Sequence, residues 1–135
     1  MPGCLTDFLD QCERPVVYGS DDCCTAVADA VAHHYGFDIM AGWRGRYRTA
    51  LGFNRIIRKA GFATFEEAYE ATCIEAGLTE TAEPQNWALG LIRFMDGSKR
   101  CTAPAFYLDG FWHGRASGGP IISEKVIKAW QQQPR

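Results

Sequence analysis

The sequence predicts an α+β domain in which N-terminal helices pack on a small antiparallel sheet. Up to about residue 78, apolar residues recur at the i, i+3, i+4 spacing of amphipathic helices. Beyond Asn86, short runs rich in aromatic and β-branched residues are divided by Gly, Asp and Pro, as in strands joined by tight turns. Helices come first and strands second, the segregation that marks α+β rather than α/β. With 135 residues and 47% hydrophobic content, the chain is sized for one domain, 1–135, with a real core.

Taken in order, Leu5, Phe8, Leu9 and Cys12 share one side of a short helix that Pro15 closes. After the brief extended piece and turn of "PVVYGSDD", a second helix runs from Asp22 with Cys24, Val27, Ala28, Val31 and Tyr35 on its apolar face. Ser20, Asp21 and Asp22 are capping residue types at its start, and Gly36 stops it. The irregular "DIMAGWRGRY" leads to a helix from Tyr47 to Ala60, with Leu51, Ile56 and Ile57 inward and Gly61 at its end. Thr64 and Glu67 form a capping-box pattern for a fourth helix reaching about Ala76. "TETAEPQN" reads as a polar linker. The sheet is expected over about 86–122, with Asp109-Gly110 as a tight hairpin turn. "GRASGGP" is either a mobile loop or a plain strand connection, and Ser123 opens a final helix over about 124–132. The four tryptophans, Trp43, Trp87, Trp112 and Trp130, are expected in the core.

A formal charge of −2 argues against a protein built to hold nucleic acid, since phosphate binding needs an excess of Lys and Arg. No apolar run approaches the roughly 20 residues of a membrane span, and the acids of the first fifteen residues do not suit a signal peptide. Synthesis in the cytoplasm is expected. No disulfide framework is expected of the six cysteines there, and Cys4, Cys12 and Cys73 read as buried thiols. Arg44, Arg46, Arg48, Arg55, Arg58 and Lys59 put six of fourteen cations within sixteen positions. Such a run is either a solvated face or a docking surface for acidic neighbours.

Cys23 and Cys24 stand in the first turn of the second helix, where unpaired N–H groups and the macrodipole favour a thiolate. Cys24 falls on the apolar face and reads as structural. Cys23 lies about 100° round the helix and is either a nucleophile facing a cleft or another small apolar residue. Asp21 and Asp22 oppose activation, because carboxylates raise a thiol pKa.

"YGSDDCCTAVADAVAHHYGF" resembles the "G-x-x-D-C-S-G-L-V" start of NlpC-type papain-like cysteine peptidases. Asp22-Cys23 falls on the family's Asp-Cys pair, while Cys24 and Thr25 replace its Ser-Gly. "GWRGRYRTALGFNRIIRKAGF" is similar to a branch of this superfamily found among tail proteins of long-tailed bacteriophages and gene transfer agents, in which a helical insertion, here about 44–78, follows the cysteine helix. The resemblance implies a papain-like fold with the cysteine helix on the sheet.

It also implies a catalytic set, and the sequence fills that set unevenly. A cysteine peptidase needs an imidazole beside the thiol and a third group to orient it. His33 and His34 sit about 15 Å along the same helix from Cys23, by helical rise. "APAFYLDGFWHGRA" resembles the family hairpin "H-V-G-I-Y-L-G-x-G-x-F-I-H-A", which puts the base on Ala103 or Pro104 and the orienting residue on His113. The catalytic candidates are therefore Cys23 and His113, as a vestigial or weak pair. Cys23, Cys101 and His113 are also weighed as a metal set, by their soft and borderline ligand types; otherwise neither a metal nor a cofactor is expected.

What the resemblance implies is a structural protein of the tail tip of a long-tailed phage, located in the virion, with its peptidase chemistry degraded. Its partners would be tail-tip and hub proteins. The rival expectation is a peptidoglycan-cleaving amidase or endopeptidase that aids DNA entry, with Cys23 attacking and His113 assisting. A module that holds wall peptides without cutting them is a third.

Overall fold

A computed structural model describes residues 4–133. The expected burial of the Cys4 side chain lies outside what it describes. Four helices precede a six-stranded antiparallel sheet: α1 Cys4–Cys12, α2 Cys23–Tyr35, α3 Ala50–Lys59, α4 Phe65–Glu75, then β1 Thr79–Glu80, β2 Leu89–Asp96, β3 Lys99–Leu108, β4 Phe111–Ala116, β5 Gly119–Ser123 and β6 Lys128–Gln131. The spatial order is β1-β6-β2-β3-β4-β5. The α+β expectation holds, and among the described residues no helix is long and apolar enough to cross a membrane.

The helix ends form where local chemistry specifies them. Asp22 caps α2 by accepting from the backbone N–H of Cys24 and Thr25, while the Thr25 hydroxyl accepts from the Asp22 N–H. Gly36 closes α2 at φ 78°, a conformation that costs glycine nothing. At α4, Thr64 accepts from the Glu67 N–H, but the Glu67 carboxylate reaches back to the N–H of Ala63 rather than Thr64. Asp109 and Gly110, at φ 50° and 93°, make the β3–β4 turn with the positive dihedrals that suit the twist of the flanking strands.

Five expectations are corrected. The segment 124–132 is no helix: Ser123 binds both the N–H and the C=O of Lys125 in a tight turn, and Lys128–Gln131 becomes β6. Val126, Ala129 and Trp130 mimic helical spacing because β6 is covered on both faces. Trp130 faces the helices, whereas Ala129 joins Ala88, Ile92, Ala105 and Trp112 on the far side. The linker reading of 79–86 misses β1, whose Thr79 and Glu80 pair with Gln131 and Trp130. The third helix starts at Ala50 rather than Tyr47, with Thr49 as its cap. Leu51 does not point inward; it is 60% exposed, and of α3 only Ile57 is fully buried. On α1, Phe8 and Cys12 are buried as expected, but Leu9 is exposed.

The main core lies between the helices and one sheet face, built around α2, which carries buried residues nearly all round. Phe8 of α1 packs edge-on against Phe106 of β3, and Tyr69 of α4 against Trp130 of β6. Cys12, Cys24 and Cys73 belong to this core. On the opposite face Trp112 crosses β2 at Gly90, where an added Cβ would stand 2.7 Å from the indole and from Val126. Trp112 and Trp130 are buried; Trp43 and Trp87 are half-buried.

Candidate functional site

The site is built on the start of α2. Gly19, at φ 91°, sends its N–H to the Asp22 carboxylate (2.8 Å), and Tyr47 adds its hydroxyl from the far loop (2.7 Å). With the Cys24 and Thr25 amides, the buried Asp22 carboxylate accepts from four donors. A charge out of water requires such a set, and the helix N-terminus adds its partial positive charge. Asp22 thereby pins the turn before α2 and the loop before α3 to the helix start that bears Cys23.

Cys24 is buried in the core as its helical position predicts, while Cys23 is half-buried and lines a cleft of about 440 Å³ between α3, α4 and the β3–β4 strands. The two sulfurs are 3.9 Å apart. The Cys23 pKa is lowered, first by the neighbouring Cys24 thiol and also by the backbone amides of Cys23 and Cys24. Burial and the Asp22 charge oppose that shift. Cys24 is correspondingly pushed up by its partner sulfur and by burial. Asp21 does not act on Cys23 as the sequence suggests, because its carboxylate turns away to Gln11 and Arg115.

No histidine lines this cleft. His33 and His34 stand at the far end of α2, where His34 stacks on Trp87. His113 lies on the helix-facing side of β4, 8% exposed, its ring stacked on Phe106 at 5.3 Å. Burial lowers its pKa against the opposing pull of the Leu108 backbone and Asp109, so the ring is neutral at neutral pH. Ala103 lines the cleft, and Pro104 is buried beside it. Neither offers a proton acceptor.

Cys101 lines the same cleft from β3. The ligand atoms of Cys23, Cys101 and His113 do not come together; among the described residues, the one set of three His, Cys, Asp or Glu ligand atoms within 4.8 Å of each other is Asp22, Cys23 and Cys24. That set suits a metal poorly, because the carboxylate already accepts four hydrogen bonds and the Cys24 thiol resists ionisation.

Sequence reasoning missed Arg115. This fully buried cation on β4 donates to Asp21 (2.5 Å) and to the Arg14 carbonyl (2.7 Å), and reaches the cleft wall. Burial alone would raise the Asp21 pKa, but hydrogen bonds from Gln11 and Arg115 and the charges of Arg115 and Arg14 hold it below the usual carboxylate range. The period-2 alternation of β4 was the available signal, since it puts Arg115 on the same face as His113. "GRASGGP" is a strand connection: Gly114–Ala116 ends β4, Gly119 opens β5, and Ser117 borders the cleft.

The arginine run divides. Arg44 is held by Asp38 and Asp29, and Arg46 lies over the Trp43 ring while donating to the Gly42 carbonyl. Arg48, Arg55 and Arg58 are exposed.

Neither a curated protein nor a solved structure matches the chain. Residues 4–131 match the family model described as "Domain of unknown function (DUF6950)", and the chain belongs to that family.

Proposed function

We propose that this chain is a structural protein of the tail tip of a long-tailed phage or related particle, built on a papain-like NlpC-type scaffold from which the catalytic base has been lost. One observation carries the loss: no histidine lines the cleft that holds the Cys23 thiol, and the two positions on which the resemblance puts the base, Ala103 and Pro104, carry no imidazole. Two features support the scaffold, a cysteine in the first turn of a helix laid on an antiparallel sheet and the Asp109-Gly110 hairpin that joins β3 to β4 in that sheet. The virion assignment is supported by the sequence resemblance of the 42–62 segment to tail proteins. In this reading the partners are tail-tip and hub proteins, and the fold is retained for packing against them.

A second reading, a cysteine amidase or endopeptidase acting on peptidoglycan, is favoured by the Cys23 thiol, its pKa lowered, lining an open cleft of about 440 Å³. His113 is badly placed to assist, being stacked on Phe106 outside the cleft. Purified full chain and Cys23→Ala incubated with muropeptides separate the two: the structural reading expects the same absence of products from both. Cys23-dependent release of cleaved peptide would defeat it. Mass spectrometry of purified particles tests the location, and absence of the chain from them would remove the virion assignment.

A further inference from the structure

Two helices present outward faces of opposite sign, and we propose that they are the two halves of a head-to-tail contact between copies of this chain, α3 of one copy against α1 of the next. The inference goes beyond the virion reading and does not need it. A chain absent from particles can still self-associate, and a chain in particles can sit singly among other proteins, so the two assays fail separately.

Charge is unevenly placed along the chain. No acid occurs between Asp38 and Glu66, where six cations lie, leaving eight cations against sixteen acids elsewhere. Arg44 and Arg46 are engaged as described above. Arg48, Arg55, Arg58 and Lys59 are exposed, and no described acid pairs with them. At 100° per residue, the side of α3 opposite Phe53 and Ile57 falls on Leu51, Arg55 and Arg58. On α1, the side opposite Phe8 and Cys12 falls on Asp10 and Glu13, with Asp7 and Leu9 at its borders. These acids are also exposed and unpaired among the described residues. Each face thus carries one exposed leucine, Leu51 or Leu9, beside two charges three residues apart.

The faces do not meet within one copy. α1 rests on α2 and reaches β5, with Phe8 against Phe106 of β3. α3 rests on α4, which contacts β6 at the other end of the sheet order through Tyr69–Trp130 and Glu70–Lys128. A contact between two different patches is heterologous: each added copy leaves one basic and one acidic face free, and the result is a ring or a filament. A polyanion such as nucleic acid would use α3 alone and be repelled by the acidic remainder; a second copy uses both faces with matched spacing. Exposed ion pairs are individually weak and screened by salt, so the contact is salt-sensitive and strengthens where other subunits hold copies close together.

Sedimentation velocity of the full chain tests this at about 50 mM and about 500 mM salt, either side of the range where screening becomes strong. Wild type is expected to associate with rising concentration at low salt and to be single at high salt. Arg55→Glu with Arg58→Glu, and separately Asp10→Lys with Glu13→Lys, should each stay single, while an equimolar mixture of the two variants should associate again. That rescue in trans also shows that neither variant merely fails to fold. The proposal is overturned if wild type stays single at low salt, if the α1 variant associates like wild type, or if circular dichroism finds both variants folded and their mixture stays single. Binding of duplex DNA or anionic vesicles through α3 by a chain that remains single would likewise overturn it.

Discussion

Helices α2 and α3 differ more than their similar lengths suggest. Eight of the thirteen residues of α2 are buried, against one of the ten of α3. Yet α3 has the cleaner alternation of apolar and charged residues, so amphipathicity by itself does not say how much a helix contributes to the core. α2 is the element on which folding rests and carries the thiol at its mouth; α3 is attached along one narrow side and turns its cations outward. The chain thus separates the part that must be built correctly from the part available to a neighbour.

The strongest way to break this contrast is to put a charge on the inner side of α2. Cys24→Asp buries a carboxylate without partners and should cost about 4 kcal/mol or more, unfolding the domain. A melting temperature like that of wild type would mean the inner side of α2 has been assigned wrongly. Asp22→Ala comes next, at about 3 kcal/mol: it removes a helix cap and strands the buried Tyr47 hydroxyl. Urea denaturation measures that loss, and a change below about 0.5 kcal/mol would refute the role given to the four-donor cap.

Asp21→Asn sharpens the comparison at the edge of the core. It leaves the Arg115 charge buried against an amide, and should cost about 2 kcal/mol at neutral pH, less than a fully buried pair because Asp21 is only part-buried. The sign of the pH dependence follows from the lowered folded pKa of Asp21. Its contribution is fully present above the unfolded value of about 3.9 and is lost as pH falls through the folded one. Wild type and variant should therefore begin to converge below about pH 4 and do so fully only as pH falls through the lowered folded pKa; parallel curves across the acid range would show that Asp21 is not the group responsible. The smallest effect belongs to α3, where Leu51→Ala should change stability by less than about 0.5 kcal/mol. A larger loss in thermal melts would place α3 within the cooperative core.

What the sequence made legible was whatever local chemistry decides. Asp22 and Thr64 announce helix starts because a capping side chain acts within three residues of itself, and Asp109-Gly110 announces a turn because the backbone there needs positive φ. Spacing alone picked out Cys24, Val27, Ala28, Val31 and Tyr35 of α2 as buried, but not Thr25, Ala26 and Ala30 beside them. β6 was illegible because its conformation is set by Leu89 and Gly90, some forty residues earlier, and a strand covered on both faces loses the alternation by which strands are recognised. Leu51 misled for the opposite reason: at 100° per residue it stands about 120° round the helix from Ile57, and nothing in the sequence tells which side of a thinly attached helix has a partner. In the site, Cys23 was visible from its place in the helix. The Arg115–Asp21 pair was not, since ninety-four positions separate its members.

The position of β6 carries a kinetic consequence. Strands β2 to β5 form a meander of neighbouring hairpins, whereas β6 must return across the sheet to slot between β1 and β2. Such a nonlocal closure comes late and slowly, because the ordering entropy is lost before the pairing compensates for it. Until it happens, β2 keeps an open, apolar hydrogen-bonding edge, which makes this the moment at which a nascent or refolding chain is most exposed to sticking to its neighbours.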